Sequence, residues 1–355
     1  MTSLSITLSI LAILLSILSI LPEIRITHWS VRALDFIRLQ LLGIQIIVFV
    51  LIISLLDLDE LLVEIALLLL SISIIRQLWI IAPYIAINKI VGYPKDAEHS
   101  IELISINVLQ KNEDYQKTIE LIREYQPDLV LTMETNRKWE KTLEEIEEDY
   151  PYQHKVPLEN RYGMHLYSKL KVDKFESHFL ISDERPSIQA HLVDKAGNEF
   201  IFWGVHPPPP SPTELPTSRQ KDAELVKLAK MIREKKAMTV VAGDFNNVCW
   251  SLSSRLFSKI SQLKDARFRN GIHPSFPVRP SLFRFPLDLM FNSRGIAINE
   301  IKTLRDIGSD HLPIYSRFTI ESNRPKERKE IPKNLKEETS EIIEEGKQAA
   351  KEENV

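Results

Sequence analysis

Cysteine is almost absent: Cys249 stands alone, so no intramolecular disulfide can form and no disulfide-linked partner is evident. Net charge is also nearly absent, at −3, which gives no sign of a general polyanion binder. Bases are scarce in residues 1–94, where only Arg25, Arg32, Arg38, Arg76 and Lys89 interrupt a Leu- and Ile-rich stretch. No Lys or Arg precedes the first apolar run, and no small-x-small site follows it before Pro22. Both absences speak against a cleaved signal peptide and for a retained helix. No internal repeat is visible.

What is there divides the chain into three. Leu4–Leu21, Leu39–Leu56 and Leu61–Tyr84 are each about the ~20 residues that cross a bilayer core, so residues 1–94 read as three transmembrane helices of a multi-pass integral membrane protein. Glu64 and Arg76 in the third lie about 120° apart around the helix, too far to pair. Arg76 is expected to snorkel toward an interface marked by Trp79 and Tyr84. The first loop carries Arg25, Arg32 and Arg38 and the second Asp57, Asp59 and Glu60. The positive-inside rule therefore places the following domain in the cytoplasm. With His28 and Trp29, the first loop also reads as an interfacial helix.

Residues 95–320 hold 32 bases and 32 acids, as a neutral globular domain does. Strand runs appear at Ile101–Ile106, Leu129–Met133, Tyr162–Tyr167, Val172–Phe179, Ser187–Val193, Glu199–Val205, Val240–Ala242, Leu287–Asn292, Ala297–Leu304 and Pro313–Ile320. Helices are expected at Asp114–Tyr125, Asn136–Glu148 and Thr217–Lys235. Without a strict βαβ repeat, this order predicts an α+β fold of mixed sheets flanked by helices. Residues 321–355 are Lys/Glu-rich and poor in large apolar groups. They are expected to be disordered or a lone solvated helix.

Polar residues recur where the apolar runs end: Asn107, Glu134, His206, Asp244 with Asn246, Asp288, and Asp310 with His311. Strand ends on one edge of a layered fold gather into one cleft. Each has a plain structural explanation as well, such as a helix-start acid for Glu134, a proline-packed His206 or a turn cap for Asp288. In Val240–Trp250, VVAGDFNNVCW, Asp244 can take a proton from water and Asn246 can donate to an oxyanion.

Six segments, SINVLQKN (105–112), LTMETN (131–136), WGVHPPPP (203–210), AGDFNNVCW (242–250), PLDLMF (286–291) and GSDHLPI (308–314), resemble the motifs of the endonuclease/exonuclease/phosphatase superfamily, and the leading spans resemble its membrane-bound bacterial branch. The resemblance implies a four-layered α/β sandwich of two mixed β-sheets and a divalent metal, Mg²⁺ with Mn²⁺ as the alternative. It makes Glu134 the principal metal ligand, completed or supported by Asn107 and Asp310. It makes Asp244 the base for the attacking water and Asn246 its orienting partner. It sets His311, polarised by Asp288, on the phosphoryl oxygens and His206 on the leaving-group side. Leu109 and Gln110 stand where the family's nucleases often carry an acid, and Met133 where they often carry Gln. The extended late motif of its inositol phosphatases is missing.

The chemistry is consistent with those roles. Phosphate esters repel hydroxide, so a hard cation on Glu134 and Asp310 and a protonated His311 beside Asp288 would supply the neutralisation that hydrolysis needs. Between Arg255 and Arg294, eight bases face two acids, with Phe268, Phe276, Phe283 and Phe285 among them. Arg269 and Arg284 are the substrate-binding candidates there. The pattern suits single-stranded nucleic acid, a lipid headgroup, or a surface loop packing its Phe residues inward. The expected activity is a membrane-anchored, metal-dependent phosphoesterase acting on a phosphodiester, phosphomonoester or pyrophosphate. A Mg²⁺-dependent nuclease is the alternative, and a catalytically inactive membrane scaffold is the non-enzyme rival.

Overall fold

A computed structural model describes residues 2–87, 99–321 and 330–353. The expected border at 94–95 and the start of the tail at 322–329 lie outside the described residues.

Three long helices, α1 (Ser3–Ile20), α3 (Arg38–Leu55) and α4 (Leu61–Ile81), pack side by side. With their flanking turns they are long and apolar enough to cross a membrane. Their interior is polar in places: Gln45 donates to the Leu15 carbonyl (2.9 Å) and to Ser73 Oγ (2.8 Å), and Gln77 donates to Gln45. Their outward faces carry exposed Leu, Ile and Val. Between α1 and α3 lies the short helix α2 (Trp29–Phe36), where an interfacial helix is expected. It is tied to the rest of the chain by Trp29 N–H to the Pro216 carbonyl and by Ser218 N–H to the Thr27 carbonyl.

Beyond the bundle, the described residues form twelve strands in two six-stranded mixed sheets. The first has the order β11 (Ile296–Thr303), β12 (Ile314–Ile320), β1 (Ile101–Asn107), β2 (Leu129–Met133), β4 (Met164–Ser168), β3 (Tyr152–Val156). The second runs β5 (Lys171–Phe179), β6 (Pro186–Val193), β7 (Glu199–Val205), β8 (Thr239–Asp244), β10 (Asp288–Asn292), β9 (Lys264–Asp265). Leu131, Met133, Met164, Phe202, Val240, Met290 and Phe318 fill the space between them. Helices α5 (Tyr115–Tyr125) and α6 (Arg137–Leu143) cover the first sheet. Helices α7 (Arg219–Lys235) and α8 (Leu252–Ser261) cover the second. The result is the four-layered sandwich.

Two registers decide where the chemistry goes. Parallel β1 and β2 pair Asn107 with Met133, so Glu134 emerges beside Asn107. Antiparallel β8 and β10 pair Asp244 with Asp288 directly. Gly243 sits at φ +146°, and a Cβ there would lie 2.0 Å from the Val205 carbonyl, so only glycine lets β7 and β8 close up at this end.

The charged tail corrects the expectation of disorder. Residues Lys333–Glu353 form α9, which packs on α7 with Leu335, Thr339, Ile342, Gly346, Ala349 and Ala350 buried. Small residues substitute for the missing large ones: a Cβ on Gly346 would lie 2.1 Å from Ala223 Cβ, so the helices approach unusually closely.

The ends of the bundle meet the sandwich. Glu23 accepts from Arg38 (3.0 Å), Arg76 (2.9 Å) and Arg255 (2.7 Å), joining all three long helices to α8. The side chain expected to snorkel, Arg76, thus reaches the sandwich end and pairs there. Tyr84 Oη donates to the Cys249 carbonyl (2.8 Å), and Trp250 Nε1 donates to the Asp35 carbonyl (2.8 Å).

Candidate active site

All eight strand-end residues converge on one edge of the sandwich. Asp244 is the centre, buried at the end of β8. Its Oδ2 accepts from Asn107 Nδ2 (3.1 Å) and lies 3.5 Å from His311 Nε2 and 3.7 Å from His206 Nε2. Its Oδ1 accepts the backbone N–H of Asn246 (2.9 Å), closing a tight turn in which Asn246 adopts φ +47°. The Asn246 amide donates to the Pro207 carbonyl (3.0 Å), fixing the turn to the loop after His206.

On the first sheet, Asn107 Nδ2 also donates to Glu134 Oε1 (3.0 Å). Glu134 Oε2 accepts from Gln110 N–H (3.1 Å), and its backbone lies in the left-handed region at φ +62°. Such a conformation costs a non-glycine residue and persists only where its surroundings hold it. Burial lifts the Asp310 carboxyl above its ordinary range; His311 opposes the rise, and Glu134 and Asp244 add to it. Asp310 Oδ1 is buried without a protein partner.

Asp288 Oδ2 holds His311 Nδ1 at 2.8 Å. Burial alone would depress the imidazole, but Asp288 and Asp244 outweigh it and raise its pKa to about 10, so it is an imidazolium at neutral pH. Ser309 Oγ donates to the Asn107 carbonyl (2.7 Å) and accepts His311 N–H (3.1 Å), binding the late loop to β1. The Phe276 ring packs against His311 with centroids 4.6 Å apart.

Two cation-binding arrangements suggest themselves. Ligand atoms of Asp244, Asp288 and His311 lie within 4.8 Å of one another. In that trio His311 Nδ1 lies 2.8 Å from Asp288 and its Nε2 3.5 Å from Asp244, so the three side chains already form a paired network among themselves. Glu134 and Asp310 are two carboxylates at the same cleft, Glu134 raising the Asp310 carboxyl, and one Asp310 oxygen is buried and unsatisfied. This donor set fits a hard divalent cation. Asn107 presents its Nδ2, a donor, and so bridges the carboxylates of Glu134 and Asp244.

Arg269 and Arg284 are not among the gathered residues. The Arg284 guanidinium donates to the carbonyls of Pro277 and Val278 and shapes its own loop. Arg269 is exposed over Phe268, with its backbone N–H on the Pro83 carbonyl (2.8 Å) just past α4. The four Phe residues of this stretch divide: Phe276 and Phe285 pack inward, while Phe268 and Phe283 are exposed.

Lys221 is a contributor that strand-end reasoning misses. It is fully buried on α7, donates Nζ to the Asn246 carbonyl (3.2 Å), and has its pKa pushed down to about 8 by burial. Its signal in the sequence is a lysine on the apolar stripe shared with Leu225 and Leu228.

The family model "Endonuclease/Exonuclease/phosphatase family" matches residues 104–311. No curated protein matches the sequence. Among solved structures, the human Nocturnin catalytic domain with bound sulfate is similar at 17% identity, covering 62% of this chain and 93% of that one, with a TM-score of 0.52. The endonuclease/exonuclease/phosphatase from Bacteroides vulgatus is similar at 16% identity, covering 63% and 100%, with a TM-score of 0.52. Humanized D. rerio TDP2 follows at 15% identity, covering 62% and 99%, with a TM-score of 0.50. At these identities the likeness shows the fold alone. The family match spans more than half of the chain and every strand-end residue gathered at the cleft, and the protein belongs to the endonuclease/exonuclease/phosphatase family, whose members are generally hydrolases of phosphate esters.

Proposed function

We propose that this protein is a membrane-anchored, divalent-metal-dependent phosphoesterase that hydrolyses a phosphodiester, phosphomonoester or pyrophosphate. The observation that carries the reading is Asp244 Oδ2, which faces Asn107, His206 and His311 at the same point. In this reading Asp244 accepts a proton as water attacks phosphorus, a step worth roughly 10²–10⁴-fold. Asn107 and the Asn246 turn hold the Asp244 carboxylate in line. His311, kept protonated by Asp288, donates to the phosphoryl oxygens. His206, backed by the Tyr162 ring at 5.2 Å, serves the oxygen of the leaving group as the P–O bond breaks. Glu134 and Asp310 would hold Mg²⁺ or Mn²⁺, which supplies charge neutralisation for the developing phosphorane.

The three apolar helices support the anchor, with the N-terminus and the 57–60 loop on the face away from the sandwich. The Arg-bearing loop before α3 supports a cytoplasmic sandwich. An active alkaline phosphatase fused beyond the sandwich would place it outside instead.

The test is turnover by the full chain in detergent or nanodiscs with Mg²⁺. The panel is single- and double-stranded nucleic acid, phosphoinositides, sphingomyelin and lipid pyrophosphates. Hydrolysis that EDTA abolishes and added metal restores is expected. Full activity in EDTA would rule the metal out.

A further inference from the structure

Where large apolar side chains remain exposed is informative. Among the described residues beyond 87 there are four: Phe179, Phe268, Leu282 and Phe283. Three of these fall on one stretch, 268–285, and that stretch lies across the sandwich end of the helical bundle. At one side, Gln40 Nε2, in the first turn of α3, donates to the Leu282 carbonyl (3.1 Å), and Phe36 stacks on Phe285 with centroids 5.6 Å apart. At the other, Arg269 N–H bonds the Pro83 carbonyl beyond α4, and a Cβ on Gly271 would lie 3.5 Å from Ala86. Leu282 is therefore level with the turn in which a membrane-crossing helix begins, and Phe268 with the turn after which another ends.

We propose that the hairpin Ser275–Phe285, with Phe268 beside it, dips into the bilayer interface as a second membrane contact, distinct from the three helices. The inference rests on the membrane-anchored reading. Leu282 is 75% exposed and Phe283 47%, at the tip of a turn whose carbonyls are held by Arg284 from within. Water is a poor solvent for this tip, and moving such side chains into an apolar medium is favourable. Arg279 and Arg269 flank the apolar tips and are exposed, as bases facing anionic headgroups would be. No other occupant has the same continuity: the neighbouring bundle surface, with Ile37, Ile85 and Ile87 exposed, is apolar too.

The base of this hairpin is also a wall of the active site. Val278 N–H bonds the Asp310 carbonyl (2.9 Å), Leu312 N–H bonds the Ser275 carbonyl (2.9 Å), and Phe276 covers His311. Seating the tip in the interface holds the cleft rim at headgroup depth.

The test uses the full chain in vesicles of phosphatidylcholine and phosphatidylglycerol. Cys249 is first replaced (Cys249→Ala), and an environment-sensitive fluorophore is attached at Leu282→Cys, with Leu68→Cys in α4 and Phe179→Cys on the sandwich as references. All three labelled side chains are already exposed, so labelling leaves the fold intact. Position 282 is expected to be quenched by lipids spin-labelled near the headgroup and shielded from aqueous iodide, as position 68 is shielded and position 179 is not. If 282 behaves like 179 while 68 is shielded, the hairpin proposal falls and the anchor stands. If 68 is also open to iodide and untouched by the lipid quencher, the anchored reading falls and takes the hairpin with it.

Discussion

In the three-helix bundle Gln45, Ser73 and Gln77 are buried while Ile47, Leu55 and Leu68 face outward; in the sandwich Leu131, Phe202 and Val240 are buried while Arg137, Lys171 and Arg279 face outward. On the membrane-anchored reading, the two regions obey the same rule in different solvents. A segment in lipid gains nothing by hiding apolar side chains, so its interior is held by close packing and hydrogen bonds. A segment in water is held by apolar burial, and the polar groups it does bury need another reason. At the cleft the proposed reason is phosphate-ester chemistry, and Leu282 and Phe283, exposed like the outer face of the bundle, are proposed to follow the bundle's rule.

The comparison can be broken most sharply at the cleft. Asp244→Asn should lower kcat by roughly 10²–10⁴-fold while the thermal midpoint of the full chain in detergent holds or rises. Glu134→Gln, which relieves repulsion with Asp310, should behave alike. A lost fold would put these acids in the structural class with Gln45.

The joint between the regions comes next. Glu23→Ala leaves the exposed Arg76 and the half-buried Arg255 without their shared acceptor, and the buried Arg38 with Asp35 alone. A loss of roughly 3 kcal/mol is expected, read as a lower denaturation midpoint in detergent. No loss would mean the two regions are held together by apolar contact alone.

Lys221 offers a test by pH. Its folded pKa of about 8 lies below the ordinary 10.5, so the charged form opposes folding. That cost is fully present below pH 8 and disappears as pH rises toward 10.5. The native protein should therefore gain stability relative to Lys221→Met across that window, by at most about 3 kcal/mol. A flat difference would show that the ammonium is solvated.

The smallest effect is reserved for the bundle. Gln45→Leu should cost about 1 kcal/mol of helix association, measured by unfolding in detergent, and should leave turnover of a soluble phosphodiester unchanged.

The strands and the cleft were readable because buried strands are written as apolar runs and their polar ends stand out against them. Glu199–Val205 and Leu129–Met133 follow such runs residue for residue. The edge strand β3 was not readable, since Tyr152–Val156 is only half buried and alternates weakly. Nor was α9, because Gly346 and two alanines make its contact by closeness, which composition hides. The position of 268–285 under the bundle depends on contacts with Gln40 and Pro83, which local pattern cannot report. Lys221 was visible as an anomaly on an apolar stripe.

The core behind the second sheet has a consequence for the order in which the molecule can be made. Ile80 and Tyr84, Trp250, and Ile342 all belong to that one cluster. In the other sheet β1 pairs with β12, Ile101 against Phe318. The earliest-synthesised strand thus waits for the last one, and neither layer can close while the ribosome is still elongating through the middle of the chain. The long helices before it are complete far sooner. On the membrane-anchored reading, the three long helices are thus complete while the sandwich is still open, and β1 stays without this partner until Ile314–Ile320 has been made.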